Sequence, residues 1–146
     1  MFTRRAAVVA LVIGPGVLAS GCGRAEPEKQ LRSTIAAMAQ AIEQHRVSDA
    51  LEPLAEDFTR DSGAFGKQEA RRVLAGAMLR NEKSQLSATV TEVRVEGERA
   101  LAKVRVIATG GAGLLPERGQ TWEFDTAWRL EGGQWKVFNA EWREGL

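Results

Sequence analysis

Trp122-Glu123-Phe124-Asp125-Thr126-Ala127-Trp128-Arg129-Leu130-Glu131-Gly132-Gly133-Gln134-Trp135-Lys136-Val137-Phe138-Asn139-Ala140-Glu141-Trp142 is the stretch that decides the fold. Trp122, Phe124, Thr126, Trp128 and Leu130 share one parity, while Glu123, Asp125 and Arg129 share the other. A period of two with one apolar parity is a strand resting one face on a core. Gly132-Gly133 supplies the tight turn of a hairpin. On the returning strand Trp135 and Val137 hold one phase, but Phe138, Ala140 and Trp142 hold the other. A slip of one residue implies a bulge, because otherwise half of the apolar groups would face water.

Upstream the same pattern recurs. Leu86, Ala88 and Val90 alternate on even positions and Val93 and Val95 on odd ones, so a second bulge belongs near Thr91-Glu92. Ala100, Ala102, Val104, Val106 and Ala108 alternate without a break, and Gly97 supplies the turn before them. Two bulges in long strands bend a sheet into a curl. The link from Thr109 to Gly119 is glycine-rich and carries Leu114-Leu115-Pro116. Its Gly110-Gly111-Ala112-Gly113 lacks the lysine and hydroxyl of a phosphate-binding loop and leads into a strand, which makes it a flexible hairpin loop. Leu114 and Leu115 either fold over a cavity mouth or offer a contact to a partner or membrane.

Before Gln85 the period is helical. Leu31, Ile35, Met38 and Ile42 recur at steps of four, three and four, and His45 continues the stripe. Pro27 suits the first turn of this helix. Ser48 is placed to cap a second, short helix carrying Leu51, Leu54 and Phe58. After the Ser62-Gly63 turn, Ala70, Val73, Leu74, Ala77 and Met78 form a third helical stripe. The expected fold class is α+β: three N-terminal helices packed on a curved, mostly antiparallel four-stranded sheet.

This layout resembles the nuclear transport factor 2-like superfamily, the SnoaL-like, cystatin-like α+β domains that include polyketide cyclases. The residues carrying the likeness are Leu54-Ala55-Glu56-Asp57-Phe58, read as closing the second helix, Gly66-Lys67-Gln68-Glu69-Ala70-Arg71 opening the third, and Trp128 to Val137 across the final hairpin. It covers residues 29–146. The resemblance implies a cone-shaped cavity between sheet and helix, a shell that serves enzymes, binding modules and dimerisation domains alike. It also implies a common association through the outer face of the sheet.

The amino terminus reads as an address rather than as fold. Arg4-Arg5, an apolar-to-small run of 13 residues from Ala6 to Leu18, and Ala19-Ser20-Gly21 precede the only cysteine, Cys22. The run is shorter than the about 20 residues a membrane-spanning helix needs and is broken by Gly14-Pro15-Gly16, so it is an export signal. With a lone cysteine directly after small residues, the pattern resembles a lipoprotein signal. Residues 1–21 are then the signal peptide, Cys22 the acylated amino terminus, 22–28 a tether, and 29–146 the folded domain. The expected location is the bacterial envelope; Gly23 after the cysteine points, by the family rule, to the outer membrane facing the periplasm. The expected membrane contact is through the N-terminal lipid.

Composition excludes some functions. Of 20 basic and 19 acidic residues the signal removes two arginines and no acids, leaving a net charge near −1, which is not that of a nucleic-acid binder. No disulfide framework exists, because Cys22 is alone. One histidine without a cysteine partner lacks a metal ligand set, and no cofactor motif stands in the chain.

Candidate chemistry is thin. His45 is the only histidine and the natural acid or base near neutral pH, yet a histidine closing a helix also has a structural role. Asp57, Arg60 and Asp61 lie close together, and the resemblance implies that a carboxylate inside an apolar cavity serves as base in related enzymes; the plainer reading is a solvated surface where Arg60 pairs with Asp57 and Asp61. The chain has no tyrosine, the donor common in steroid-isomerase-like members. Met38, Ile42, Trp122, Phe124 and Trp128 are the expected cavity lining, apolar enough to suit a binding pocket better than a reaction site. The sequence therefore favours an envelope lipoprotein whose domain binds an apolar small molecule or a protein, with no catalytic set. A SnoaL-like isomerase, cyclase or hydrolase using His45, Asp57 or Asp61, and a structural homodimer through the outer sheet face, are the alternatives.

Overall fold

The structure, a computed structural model, describes residues 22–61, 63–80, 84–110 and 119–145. The elements in chain order are helices α1 (Cys22–Glu43) and α2 (Val47–Leu51), strand β1 (Leu54–Arg60), helix α3 (Lys67–Arg80), and strands β2 (Ser84–Glu96), β3 (Arg99–Gly110), β4 (Gln120–Glu131) and β5 (Gln134–Gly145). They form one curved five-stranded sheet ordered β1-β5-β4-β3-β2, with β1 parallel to β5 and every other pair antiparallel.

The sheet has five strands rather than four. Leu54-Ala55-Glu56-Asp57-Phe58 does not close a helix; it is the edge strand β1. Leu54 and Phe58 both point inward while Glu56 is exposed, because the register against β5 shifts between Leu54 and Thr59. That irregularity turns strand alternation into a spacing of four, which imitates a helix. The second helix accordingly stops at Leu51, before Pro53, and Ser48 lies inside it: the capping position is Arg46, without a side-chain cap bond.

Both expected bulges are present. Val90 faces Val104 and Glu92 faces Lys103, leaving Thr91 as the extra residue, whose hydroxyl donates to the Lys103 carbonyl at 3.3 Å. Trp128 faces Val137 and Ala127 faces Asn139, leaving Phe138 extra. The guanidinium groups of Arg99 and Arg129 sit 5.2 and 5.3 Å from the Phe138 ring, so an apolar group pushed to the outer face is covered by cations. Gly97, Gly132 and Gly133 all have positive φ, as the two hairpin turns require.

Helix α1 starts at Cys22, and Pro27 lies inside it rather than in its first turn. Residues 1–21 lie outside the described residues, as do Leu114 and Leu115. The helix is fastened at both ends of its exposed length. The buried Trp135 indole donates to the Pro27 carbonyl at 2.9 Å, and the Glu43 carboxylate accepts the Leu86 backbone N–H of edge strand β2 at 2.6 Å. Between these points Leu31 and Ile35 enter a core with Leu51, Leu54, Phe58, Trp128, Trp135 and Val137. Ala100 stands opposite Trp128 and Ala102 opposite Thr126, so small residues on β3 make room for the buried indole. The Trp128 N–H donates to Thr126 Oγ1 at 2.7 Å, and that hydroxyl donates to the Ala102 carbonyl at 2.7 Å.

His45 does not continue the apolar stripe; it is exposed, with φ of 56°. The Arg46 N–H donates to the Ala41 carbonyl at 2.8 Å and the His45 N–H to the Ile42 carbonyl at 3.1 Å, the two closing bonds of a Schellman helix end. Histidine thus occupies a left-handed position that glycine adopts without strain. We expect His45→Gly to raise the unfolding free energy by about 1 kcal/mol and His45→Val to lower it, read by chemical denaturation. Equal midpoints for all three proteins would contradict this assignment.

Candidate functional site

Between the sheet, α1 and α3 lies a cavity of about 550 Å³ whose lining shares Leu51, Leu54, Phe58, Trp128 and Val137 with the core. Met38 and Ile42 reach it from α1, Leu74 and Met78 from α3, and Trp122, Phe124 and Trp128 from β4. All five lining residues expected from the sequence therefore face one space. Helix α3 begins with a side-chain cap in which the Glu69 carboxylate accepts the Gly66 N–H at 2.9 Å, an interaction that holds the Glu69 carboxyl below its ordinary range.

Sequence reasoning missed one wall. Phe65, from the segment before α3, and Trp142, from β5, complete an aromatic corner with Phe124. The Phe65 and Trp142 centroids lie 5.4 Å apart at 76°, and those of Phe124 and Trp142 lie 5.6 Å apart at 36°. Trp142 follows the Phe138 slip, so its parity placed it on the inner face, but its partners come from two other elements. Behind it the Arg60 guanidinium lies 4.1 Å over the ring and also donates to the Trp142 carbonyl at 3.0 Å. Arg60 makes only a loose 3.6 Å pair with Asp61, whose own φ of 52° marks it as a turn residue.

Among the described residues the cavity lining contains no titratable side chain; its polar members are Thr109, Gln120 and Thr126. His45, Asp57 and Asp61 do not line it. Asp57 points outward on β1 and pairs not with Arg60 but with Arg129, which donates to both carboxylate oxygens. The hydrogen bond from Arg129 holds the Asp57 carboxyl below the usual aspartate range against the opposing effect of burial, the arginine charge aiding it, and raises the arginine in turn. Glu123 and Asp125, on the same outer parity of β4, pair with Arg105 at 2.7 Å and Arg143 at 3.6 Å. Among the described residues no cluster of three or more His, Cys, Asp or Glu side chains is placed to hold a metal ion. The arrangement can hold an apolar molecule; among the described residues its lining offers no proton-transfer group.

The family described as the SnoaL-like domain matches residues 35–138. No curated protein matches the sequence. Among solved structures, a candidate scytalone dehydratase from Novosphingobium aromaticivorans is 13% identical with a TM-score of 0.69, the match covering 83% of this chain and 85% of that one. An NTF2-like protein of unknown function from Pseudomonas putida is 19% identical with a TM-score of 0.63 over 80% and 85% of the two chains. A protein with a cystatin-like fold from Nostoc punctiforme is 14% identical with a TM-score of 0.65 over 83% and 92%. At these identities the likeness is one of fold.

Two predictions follow from the charge positions. Because the Asp57 carboxyl is lowered in the folded state, its contribution is complete above the ordinary aspartate range and is lost as pH falls through the lowered value. Asp57→Asn should therefore be less stable than the parent near neutral pH, the gap closing below about pH 4; a gap that widens in acid would refute it. Arg60→Met should cost about 1 kcal/mol and shift the tryptophan emission, since it uncovers one face of the Trp142 ring.

Proposed function

The chain belongs to the SnoaL-like domain family, and from that premise we propose that its domain is a binding module for an apolar small molecule. The observation that carries this reading is the cavity of about 550 Å³, lined among the described residues by no ionisable side chain. Pockets of roughly 300–1,000 Å³ with a mainly apolar lining and few polar groups are the usual form of small-molecule sites. The likeness to a candidate scytalone dehydratase supports an enzymatic alternative, but such chemistry needs a base within reach of the bound substrate, and His45, Asp57 and Asp61 all lie off the lining. A purely structural dimer is less well supported, because an unfilled cavity of this size weakens a domain that needs it only as core.

We further propose that Cys22 carries the lipid that holds this domain to the outer membrane on its periplasmic side. The support is the order of charge, apolar run and small residues before a single cysteine. Among the described residues no helix is long and apolar enough to cross a membrane. On the outer face of the sheet Leu101 and Ile107 are 56% and 38% exposed between ion-paired strands, which supports that face as the contact in a homodimer.

The neutral dye Nile red should gain fluorescence on binding the full chain with micromolar affinity, and Leu74→Trp, which fills the cavity from α3, should weaken it at least about tenfold while the fold persists. No dye binding, or binding indifferent to Leu74→Trp, would remove the cavity from the function. Mass spectrometry of the membrane fraction should find an acylated terminus that Cys22→Ser abolishes; a protein that stays membrane-bound with serine there would refute lipidation.

A further inference from the structure

Helix α3 has two unlike faces. Ala70, Leu74, Ala77 and Met78 turn to the cavity. Arg72, Gly76, Leu79 and Arg80 recur at helical spacing on the opposite side, with Arg71 and Val73 at its margins. Leu79 is 82% exposed and Val73 58%, the highest values for large apolar side chains among the described residues. The helix carries Lys67, Arg71, Arg72 and Arg80 against one carboxylate, Glu69. Glu69 is spent on the Gly66 N–H, and Lys67 on the Leu54 carbonyl and Glu56. Elsewhere arginines find acids: Arg32 pairs with Glu28, Arg46 with Asp49, Arg105 with Glu123, Arg129 with Asp57 and Arg143 with Asp125. Arg71, Arg72 and Arg80 make no ion pair and no side-chain hydrogen bond among the described residues, and Arg72 acts on Glu69 only through its charge. In a chain whose formal net charge is only +1, three unpaired guanidinium groups around an exposed leucine are a local excess.

We infer that the outer face of α3 docks on an anionic phospholipid bilayer. The guanidinium groups fork onto headgroup phosphates, and Leu79 enters the boundary between headgroups and acyl chains, the arrangement of a helix lying in the plane of the interface. A protein partner is disfavoured, because a stable protein contact needs a contiguous apolar core and this face offers only Val73 and Leu79. A fluid layer needs no such core: its phosphates gather about separated cations, and the attractions add along the helix. The other exposed apolar residues, Leu101 and Ile107, share their face with paired cations, Lys103 with Glu92 and Arg105 with Glu123, and carry no such excess. The inference depends neither on the lipid at Cys22 nor on what fills the cavity. With Cys22 acylated it gives the domain a second membrane contact, and it lays the helix that walls the cavity against the bilayer.

The test uses the full chain with Cys22→Ser, which removes both the acylation site and the only native thiol. An environment-sensitive label is placed on Leu79→Cys or, as a control, on Thr89→Cys, an exposed site on β2. The amino-terminal segment is common to every variant, so differences between them report α3. The label at position 79 should brighten at least about threefold with vesicles of about one-third phosphatidylglycerol in phosphatidylcholine and stay dark with phosphatidylcholine alone, and the lipid needed for half-binding should rise about tenfold between about 50 and 500 mM salt. Arg71→Gln/Arg72→Gln/Arg80→Gln should weaken the binding at least about tenfold, while lysine at the same three positions keeps it within about threefold. The label at position 89 should stay dark throughout. Equal brightening on neutral vesicles, or indifference to the glutamine variant, would overturn docking by charge, and equal brightening at both labelled sites would overturn the choice of face. A label at position 79 that ignores both vesicles but responds to polyglutamate would assign the face to an acidic protein and overturn the bilayer; silence toward all three would overturn docking altogether.

Discussion

One extra residue in each of two strands, Thr91 in β2 and Phe138 in β5, is the constraint on which the rest of the structure depends. Each bulge bends its strand and increases its twist, so a sheet that would lie flat against its helices curls around them. The Phe138 bulge also resets side-chain parity. Trp135 and Val137 face the core before it, and Ala140 and Trp142 face the cavity after it. Without that reset Trp142 would point to the outer face, and the aromatic corner would lose its centre. The displaced Phe138 ring remains on the outer face between two arginines, where cation–π contact offsets its exposure.

Packing and opening share one concave face, with Leu54, Phe58 and Trp128 belonging to both core and cavity lining. At the hairpin end, alanines on β3 oppose Trp128, and the Trp135 indole fastens α1 through the Pro27 carbonyl. Helix α3 is fixed at its start by the Gly66–Glu69 cap, and by the Lys67 ammonium, which donates to the Leu54 carbonyl at 3.1 Å. This leaves its apolar stripe as one wall of the cavity rather than as part of a closed core. Trp128 serves both core and cavity, lining the space while its N–H is satisfied by Thr126 Oγ1.

How far the site could be read in the sequence follows from the same geometry. Met38, Ile42, Trp122, Phe124 and Trp128 were legible as lining candidates because periodicity of 3.6 or 2 reports which face is apolar. Both slips of phase were legible for the same reason. Strand β1 was not, since its irregular register against β5 gave Leu54 and Phe58 helical spacing, and only the parallel partner distinguishes the two. His45 shows a different failure. Its spacing from Ile42 fits the stripe, but the chain has already left the helix, and its left-handed φ turns the ring to solvent. The grouping of Asp57 with Arg60 and Asp61 dissolved because extended backbone sends neighbouring side chains to opposite faces. Asp57 found Arg129, 72 positions away, and Arg60 found Trp142.

By itself the sequence determined the α+β class, the long antiparallel strands, the two bulges and the apolar character of the inner face, all of which follow from local periodicity and turn chemistry. Tertiary structure alone decided that a fifth strand joins the sheet, that Phe65 and Trp142 meet Phe124, and which indole N–H groups are spent in the core. Those outcomes depend on pairings between residues remote in the chain, and a pattern of period two or 3.6 carries no information about which remote partner a side chain will meet.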